Sequence, residues 1–312
     1  MNRELNGNII PSCMIGTWAW GKGMNGSRMI FGKTYSEAQL KETFRVAHDL
    51  GFTLWDTAEV YGMGNAEKIL GQCITGKKDV IVSTKHMPSK KYKNGAITNS
   101  INGSRNRLGI GNIDLYWLHK PYTLQENVME LISCMKYGKI QSIGLSNCNI
   151  AQIKETKNML EKNGYKLAAV QNHFSLLSME QQEIVQYCNE NSILYFGYMV
   201  LEQGALSGHY DANHPFPAFS MRGISFGKKK FKKIQAVIDY ERKLAKKYDV
   251  DVSQIPVAWA ISKQIVPIIG LTKPEHAKSL ALGIRVTLLP EEIEKLELLA
   301  SESGVKCKGS WE

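Results

Sequence analysis

The dominant pattern along the chain is alternation. Short apolar runs rich in strand formers are separated by longer stretches with apolar residues at helical spacing. One full unit shows the grammar. Ser36, Glu37, Ala38 and Gln39 read as a capping box, in which the serine and glutamine side chains each satisfy a free backbone N–H. Leu40, Phe44 and Ala47 follow on one helical face, and Gly51 stands where a helix can end in the left-handed conformation. Residues 52–55, Phe-Thr-Leu-Trp, then read as a strand.

The same reading predicts strands at 80–84, 113–118, 140–145, 168–170, 193–197 and 266–269, with Met14-Ile15-Gly16 as the first of eight. Helices fall between them, including 127–137, ended by Gly138. Another is opened by a second capping box at Ser178-Met179-Glu180-Gln181 and runs to about Asn189. Near-continuous apolar strands separated by helices imply a parallel sheet covered on both faces, and eight such units close naturally into a barrel. The expected fold is α/β: a single (β/α)8 TIM barrel over residues 1–312, with extra C-terminal helices. Residues 5–10 place Asn6-Gly7 between apolar positions, a hairpin signal that predicts a plug at the barrel's N-terminal end. A long irregular segment, 204–230, precedes the last units, and a loop of that length in a compact domain is usually functional.

Composition narrows the class. Of the 312 residues 43% are hydrophobic and 22% charged, a globular balance with material for a large core. No run approaches the ~18 apolar residues of a membrane span, and the first residues carry no apolar signal-peptide core. The six cysteines are scattered without Cys-x-x-Cys or metal spacing, so reduced thiols, no metal and a cytoplasmic location are expected. The net charge of +10 admits nucleic acid, a membrane surface or an anionic ligand. Its densest cluster, Lys228-Lys229-Lys230-Phe231-Lys232-Lys233, reads as the solvated start of a helix spanning 234–247. No nucleic-acid motif accompanies it, so neither nucleic acid nor membrane is expected as a partner. Nothing in the sequence sets an oligomeric state.

In such a barrel the working residues come from the C-terminal ends of several strands. Those ends supply Asp56, with Tyr61 in the loop after it, then Lys85, His119, Ser146-Asn147, Gln171-Asn172 and Tyr198. Any one could be accidental, since every strand must end in something polar. An acid, a phenol, an amine and an imidazole from three successive strand ends form a working set. A carbonyl reduction needs hydride on carbon and a proton on oxygen. A tyrosine can give that proton, an adjacent ammonium held by a carboxylate would lower its pKa, and an imidazole can orient the carbonyl.

The ordered motifs resemble those of the aldo-keto reductase family over about residues 14–283. They are Asp56-Thr57-Ala58-Glu59-Val60-Tyr61-Gly62, then Gly64-Asn65-Ala66-Glu67-Lys68-Ile69-Leu70-Gly71, Ser83-Thr84-Lys85, Ile113-Asp114-Leu115-Tyr116-Trp117-Leu118-His119, Ile143-Gly144-Leu145-Ser146-Asn147 and Val170-Gln171. The resemblance implies a catalytic tetrad of Asp56, Tyr61, Lys85 and His119. It implies NADPH as cofactor, with NADH possible, and a small carbonyl compound as substrate. The nicotinamide would meet Ser146, Asn147 and Gln171 and stack on Tyr198. Gly16, Thr17 and Trp18 at the first strand end, and Leu201, Gln203, Gly204 and Leu206 after the seventh, would line the rest. Gly270, Thr272, Lys273 and His276 would hold the adenosine end, where a hydroxyl, an ammonium and an imidazole suit a 2′-phosphate. The chain departs from the family at Met199-Val200, where Ser-Pro is common, and at His276 and Leu280, where arginine and asparagine are common. Trp18, Trp20, Met24, Met87, Tyr122 and Phe216 are candidates for the substrate pocket, with segment 209–226 deciding specificity. A cofactor-bound sensor or regulatory subunit, or a non-redox enzyme on the same scaffold, would present nearly the same sequence.

Overall fold

Asn6 and Gly7 carry positive φ, 52° and 79°, the turn geometry that matches the twist of two antiparallel strands. They join β1 (Arg3–Leu5) to β2 (Asn8–Ile10), with Arg3 opposite Ile10. In this computed structural model, which describes residues 3–23, 26–217 and 221–307, Leu5 and Ile10 of the hairpin enter an apolar cluster. Their partners there are Met14, Leu54, Ile81, Leu115, Trp117, Ala169, Phe196 and Val266, all inside a barrel. The plug is real.

Eight parallel strands close that barrel: β3 (Met14–Gly16), β4 (Leu54–Asp56), β5 (Ile81–His86), β6 (Leu115–Leu118), β7 (Ile143–Ser146), β8 (Leu167–His173), β9 (Leu194–Tyr198) and β10 (Val266–Gly270). Ile269 of β10 pairs with Ile15 of β3 to complete the ring. Several strands reach further toward their C-terminal ends than alternation alone predicts, because polar residues such as Asp56, Lys85 and Gln171 remain in the ladder. The interior is filled, not hollow. Trp117 and Phe196 meet edge to face at 5.5 Å, and a Cβ on Gly144 would lie 2.3 Å from the Trp117 ring, so that strand position excludes a side chain.

The helical layer comprises α1 (Ser27–Phe31), α2 (Glu37–Asp49), α3 (Asn65–Ile74), α4 (Ala96–Leu108), α5 (Leu124–Lys136), α6 (Ile150–Lys162) and α7 (Gln182–Glu190). It continues with α8 (Met221–Ser225), α9 (Lys228–Lys233), α10 (Gln235–Tyr248), α11 (Gln254–Ser262), α12 (Pro274–Gly283) and α13 (Pro290–Glu302). Leu40, Phe44 and Ala47 of α2 are buried as their spacing predicts. Among the described residues, no helix is long and apolar enough to cross a membrane, no His/Cys/Asp/Glu group could hold a metal, and all six cysteines are free.

Three local expectations are corrected. Ser36 accepts from the Gln39 N–H, but the Gln39 amide donates across to the Thr272 carbonyl (2.7 Å), so the box is half formed. Ser178 caps nothing: its backbone bridges Ser175, its hydroxyl turns to Glu180, and α7 begins four residues later at Gln182. The segment after Gly204 is not wholly irregular. It contains α8 and α9, and the lysine-rich α9 is anchored by Phe231, which is buried against Phe216 and Phe226.

Candidate active site

Asp56 ends β4, and its position is fixed from several sides. Its backbone carbonyl accepts from Thr17 N (2.9 Å) and Thr17 Oγ1 (3.0 Å). Its carboxylate accepts from Ser83 Oγ (2.6 Å) and from the Lys85 ammonium, both on the neighbouring strand. Lys85 is fully buried, donates a second bond to the Thr57 carbonyl (2.9 Å), and holds its Nζ 5.2 Å from the centre of the Tyr61 ring. Tyr61 stacks on Trp18 at 6.0 Å and meets His119 edge to face at 6.2 Å. A close backbone crossing sets the loop that carries it. Gly62 has φ +56°, and a Cβ there would lie 2.6 Å from Gly21 Cα and 2.5 Å from the Lys22 carbonyl oxygen. The need for glycine after Tyr61 is therefore steric.

The electrostatics correct one expectation. Burial, and then the Asp56 carboxylate, push the Tyr61 phenol well above its ordinary pKa of 10 rather than down toward neutrality. The Lys85 ammonium spends its hydrogen bonds on Asp56 and Thr57, so it lies against the ring without bonding the hydroxyl. Burial in turn draws the Lys85 pKa down, opposed by Asp56. Burial, then the positive charges of Lys85 and Lys120, hold His119 well below 6.5, so it presents a neutral imidazole at physiological pH.

A groove of about 820 Å³ starts at these residues and runs across the barrel mouth. Asp56, Tyr61 and His119 border its deep end, with Gly16, Trp18, Ser146, Gln171 and Tyr198. Leu201, Gln203 and Gly204 border its middle, and Gly270, Thr272, Lys273 and His276 its far end, at the N-terminus of α12. Lys85, Thr17, Asn147 and Leu206 support the lining from behind. Asn147 Nδ2 donates to the His119 carbonyl (2.9 Å), its Oδ1 accepts from the Tyr198 hydroxyl (2.6 Å), and Leu206 is buried in the core.

The expected substrate residues fare less well. Trp20 is buried on Trp55 and donates to the Leu271 carbonyl (2.7 Å), so it is core. Met87 is tied through its N–H to Glu59 (2.8 Å), and Tyr122 lies at the start of α5, where its carbonyl accepts from Asn127 (2.8 Å); neither borders the groove. Phe216 is buried among Tyr210, Phe226 and Phe231, and Met24 lies outside the described residues. Trp18 alone of these candidates borders the groove.

Sequence reasoning missed several lining residues. Phe31, Lys33 and Tyr35 come from α1 and the segment after it, and Arg222 comes from α8. Arg222 donates to the Gln203 carbonyl (3.0 Å) and lies 4.7 Å from the Phe216 ring centre, so it ties the long segment to the groove. Asp251, Ser253, Gln254 and Ser279 border the far end. The length of the 204–230 segment was the available signal for Arg222; α11 and the residues before it carried none.

The arrangement suits an elongated dinucleotide. Small residues (Gly204, Ser207, Gly208) border the middle, where a diphosphate must approach backbone, and a hydroxyl and an ammonium precede a ten-residue helix at the far end. The model of the aldo/keto reductase family matches residues 13–300. A chloroplastic pyridoxal reductase of Arabidopsis thaliana is 30% identical, covering 92% of this chain and 82% of that protein. The NADP(+) aldo-keto reductase yakc of Schizosaccharomyces pombe is also 30% identical, over 94% of this chain and 89% of its own length. Among solved structures, a glycerol dehydrogenase of Gluconobacter oxydans superposes with a TM-score of 0.84 at 24% identity, covering 99% of this chain and 97% of that one.

Proposed function

The chain belongs to the aldo/keto reductase family, and from that premise we propose that it reduces an aldehyde or ketone to the alcohol with NADPH, reversibly, with Tyr61 as proton donor. The observation that carries the reading is the meeting of a phenol, a neutral imidazole and a buried Asp56–Lys85 pair at one end of a dinucleotide-sized groove. NADP is also the cofactor that the name of the yakc relative prints. When bound, the nicotinamide supplies the hydride that reaches the carbonyl carbon. Everything else falls to the chain. The Tyr61 hydroxyl, kept protonated by burial, gives its proton to the carbonyl oxygen, and the returning phenolate is stabilised by the ammonium of Lys85 against its ring. Neutral His119 donates a hydrogen bond to the same oxygen and orients it. Ser146 and Gln171 hold the carboxamide, with Asn147 behind them fixing the Tyr198 hydroxyl, Tyr198 stacks on the ring, and Thr272, Lys273 and His276 meet the 2′-phosphate. Trp18 and Phe31, 5.4 Å apart, give the substrate side an aromatic wall. The test is NADPH consumption with a panel of simple aldehydes and ketones, with the products identified. Alcohol formed in equal amount to NADPH consumed is expected. Tight NADPH binding without turnover on any carbonyl would overturn the reading and favour a sensor.

A further inference from the structure

Behind Tyr198 a second polar cluster is sealed from solvent. His173 at the end of β8 sits beside Tyr198 in the strand register, and the two rings stack with centroids 5.7 Å apart and planes 18° apart. His173 Nε2 lies 2.7 Å from Glu202 Oε1, and the Ser175 hydroxyl donates to the same oxygen. The Cys307 thiol lies against this carboxylate too; burial first, then that negative charge, push its pKa up. His173, Ser175 and Glu202 are 1%, 0% and 4% exposed, so the cluster faces the core and not the groove.

Buried polar groups are tolerated when their partners are satisfied, and satisfaction here fixes a backbone. Glu202 and Gln203 both have left-handed φ, 46° and 54°, Met199 precedes them at 58°, and Gly204 follows at 104°. Left-handed residues other than glycine persist where the surroundings hold them. Glu202 is held from the core side, while Leu201, Gln203 and Gly204 border the groove. The contacts run on from there: Glu202 to His173, His173 to Tyr198, the Tyr198 hydroxyl to Asn147, and Asn147 to the His119 carbonyl.

We propose that Glu202 and His173 form a latch that positions the groove loop 199–204 and the Tyr198 ring as one unit, making both positioning residues for the nicotinamide and diphosphate part of the cofactor. The proposal rests on the cofactor reading above. Wild type, Glu202→Gly, Glu202→Gln, His173→Gln and the Glu202→Gly/His173→Gln double variant are titrated with NADPH and, separately, with adenosine 2′,5′-bisphosphate, which reaches the far end of the groove alone. Glycine accepts the left-handed backbone, so Glu202→Gly removes the side chain without imposing a new strain. NADPH affinity should fall about tenfold in Glu202→Gly and in His173→Gln, with the double variant no worse than the worse single one. Glu202→Gln, which still accepts from Ser175, should lose less. Affinity for the bisphosphate should stay within about twofold throughout, a split that a general loss of structure would not produce. Unchanged NADPH affinity in both single variants, or equal loss for the two ligands, overturns the latch. Should Glu202→Gly fail to fold, His173→Gln decides on its own. A wild-type protein that binds the bisphosphate and not NADPH overturns the cofactor reading itself, a result separate from any effect of the variants.

Discussion

Tyr61→Phe removes one oxygen from the centre of the site, and the structure says what that costs. The ring keeps its stack on Trp18 at 6.0 Å, its edge contact with His119 at 6.2 Å and the Lys85 ammonium at 5.2 Å. Among the described residues the Tyr61 hydroxyl makes no hydrogen bond, so stability should change by no more than about 0.5 kcal/mol. The rate should not be spared. A lost general acid costs ~10²–10⁴-fold, or about 2.7–5.5 kcal/mol in the barrier. The assay is kcat with an aldehyde at saturating NADPH, paired with an NADPH titration, which should be nearly unchanged. Lys85→Met is a poorer probe, because it leaves the buried Asp56 carboxylate without its cation and should cost about 3–5 kcal/mol of stability as well. The pH dependence follows from the sign of the shift. With the Tyr61 pKa raised above 10, the phenol is fully protonated at every lower pH, so reduction should lose nothing to its ionisation there. The reverse oxidation needs the phenolate and should rise with pH. A fully active Tyr61→Phe enzyme, or an alkaline limb of reduction well below pH 10 that this variant abolishes, would refute the reasoning.

Because burial and two cations hold His119 neutral, kcat/KM for reduction should show no His119 step near pH 6.5, while His119→Ala should lower it about 10²-fold with NADPH affinity intact. A step between pH 6 and 7 that His119→Ala removes would contradict this. Lys273→Ala should raise the Kd for NADPH more than tenfold and leave NADH nearly unchanged, since a charge-assisted phosphate contact is worth ~1.5–3 kcal/mol; equal losses would place Lys273 at a part common to both cofactors. Arg107→Met strands the fully buried Glu67, whose carboxylate accepts from Arg107 Nε (2.6 Å) and Thr84 Oγ1 (2.7 Å). A loss of about 3–5 kcal/mol is expected from urea unfolding, and a loss under ~1 kcal/mol would show that the pair is dispensable.

The fold was legible because its signals are local. Asn6-Gly7 can form its turn without help from the barrel, and strands buried on both faces stay apolar whatever surrounds them. The deep end of the site was legible for a related reason: a barrel gathers its strand ends at one rim, so residues distant in sequence meet once the strands are placed. What failed depended on direction. Trp18 and Trp20 share one 3₁₀ turn, where two residues span about 240° of rotation, so they must point apart. One faces the groove and the other the Leu271 carbonyl, and composition cannot say which. The lysine-rich segment shows the same sorting by direction: Phe231 is buried, Lys228, Lys229, Lys232 and Lys233 are exposed, and Lys230 folds back to donate to the Ser225 carbonyl (2.8 Å).

The latch at Glu202 was within reach of the sequence by a stricter argument. Gln171, Asn172 and His173 are three consecutive polar residues in a strand of a closed barrel, and all are 3% exposed or less. Side chains alternate along a strand, so such a run cannot spend all three on one face, and each buried group requires a partner. Gln171 reaches Asp56 at 3.5 Å, at the groove. Asn172 exchanges bonds with the Cys148 backbone, N–H to Oδ1 at 3.1 Å and Nδ2 to carbonyl at 2.8 Å, and so fixes the loop after Ser146-Asn147. His173 takes Glu202. A single strand end therefore ties Asp56, the loop after β7 and the loop after β9 together. Its polarity follows from that load, because an apolar strand end could pack against all three and orient none of them.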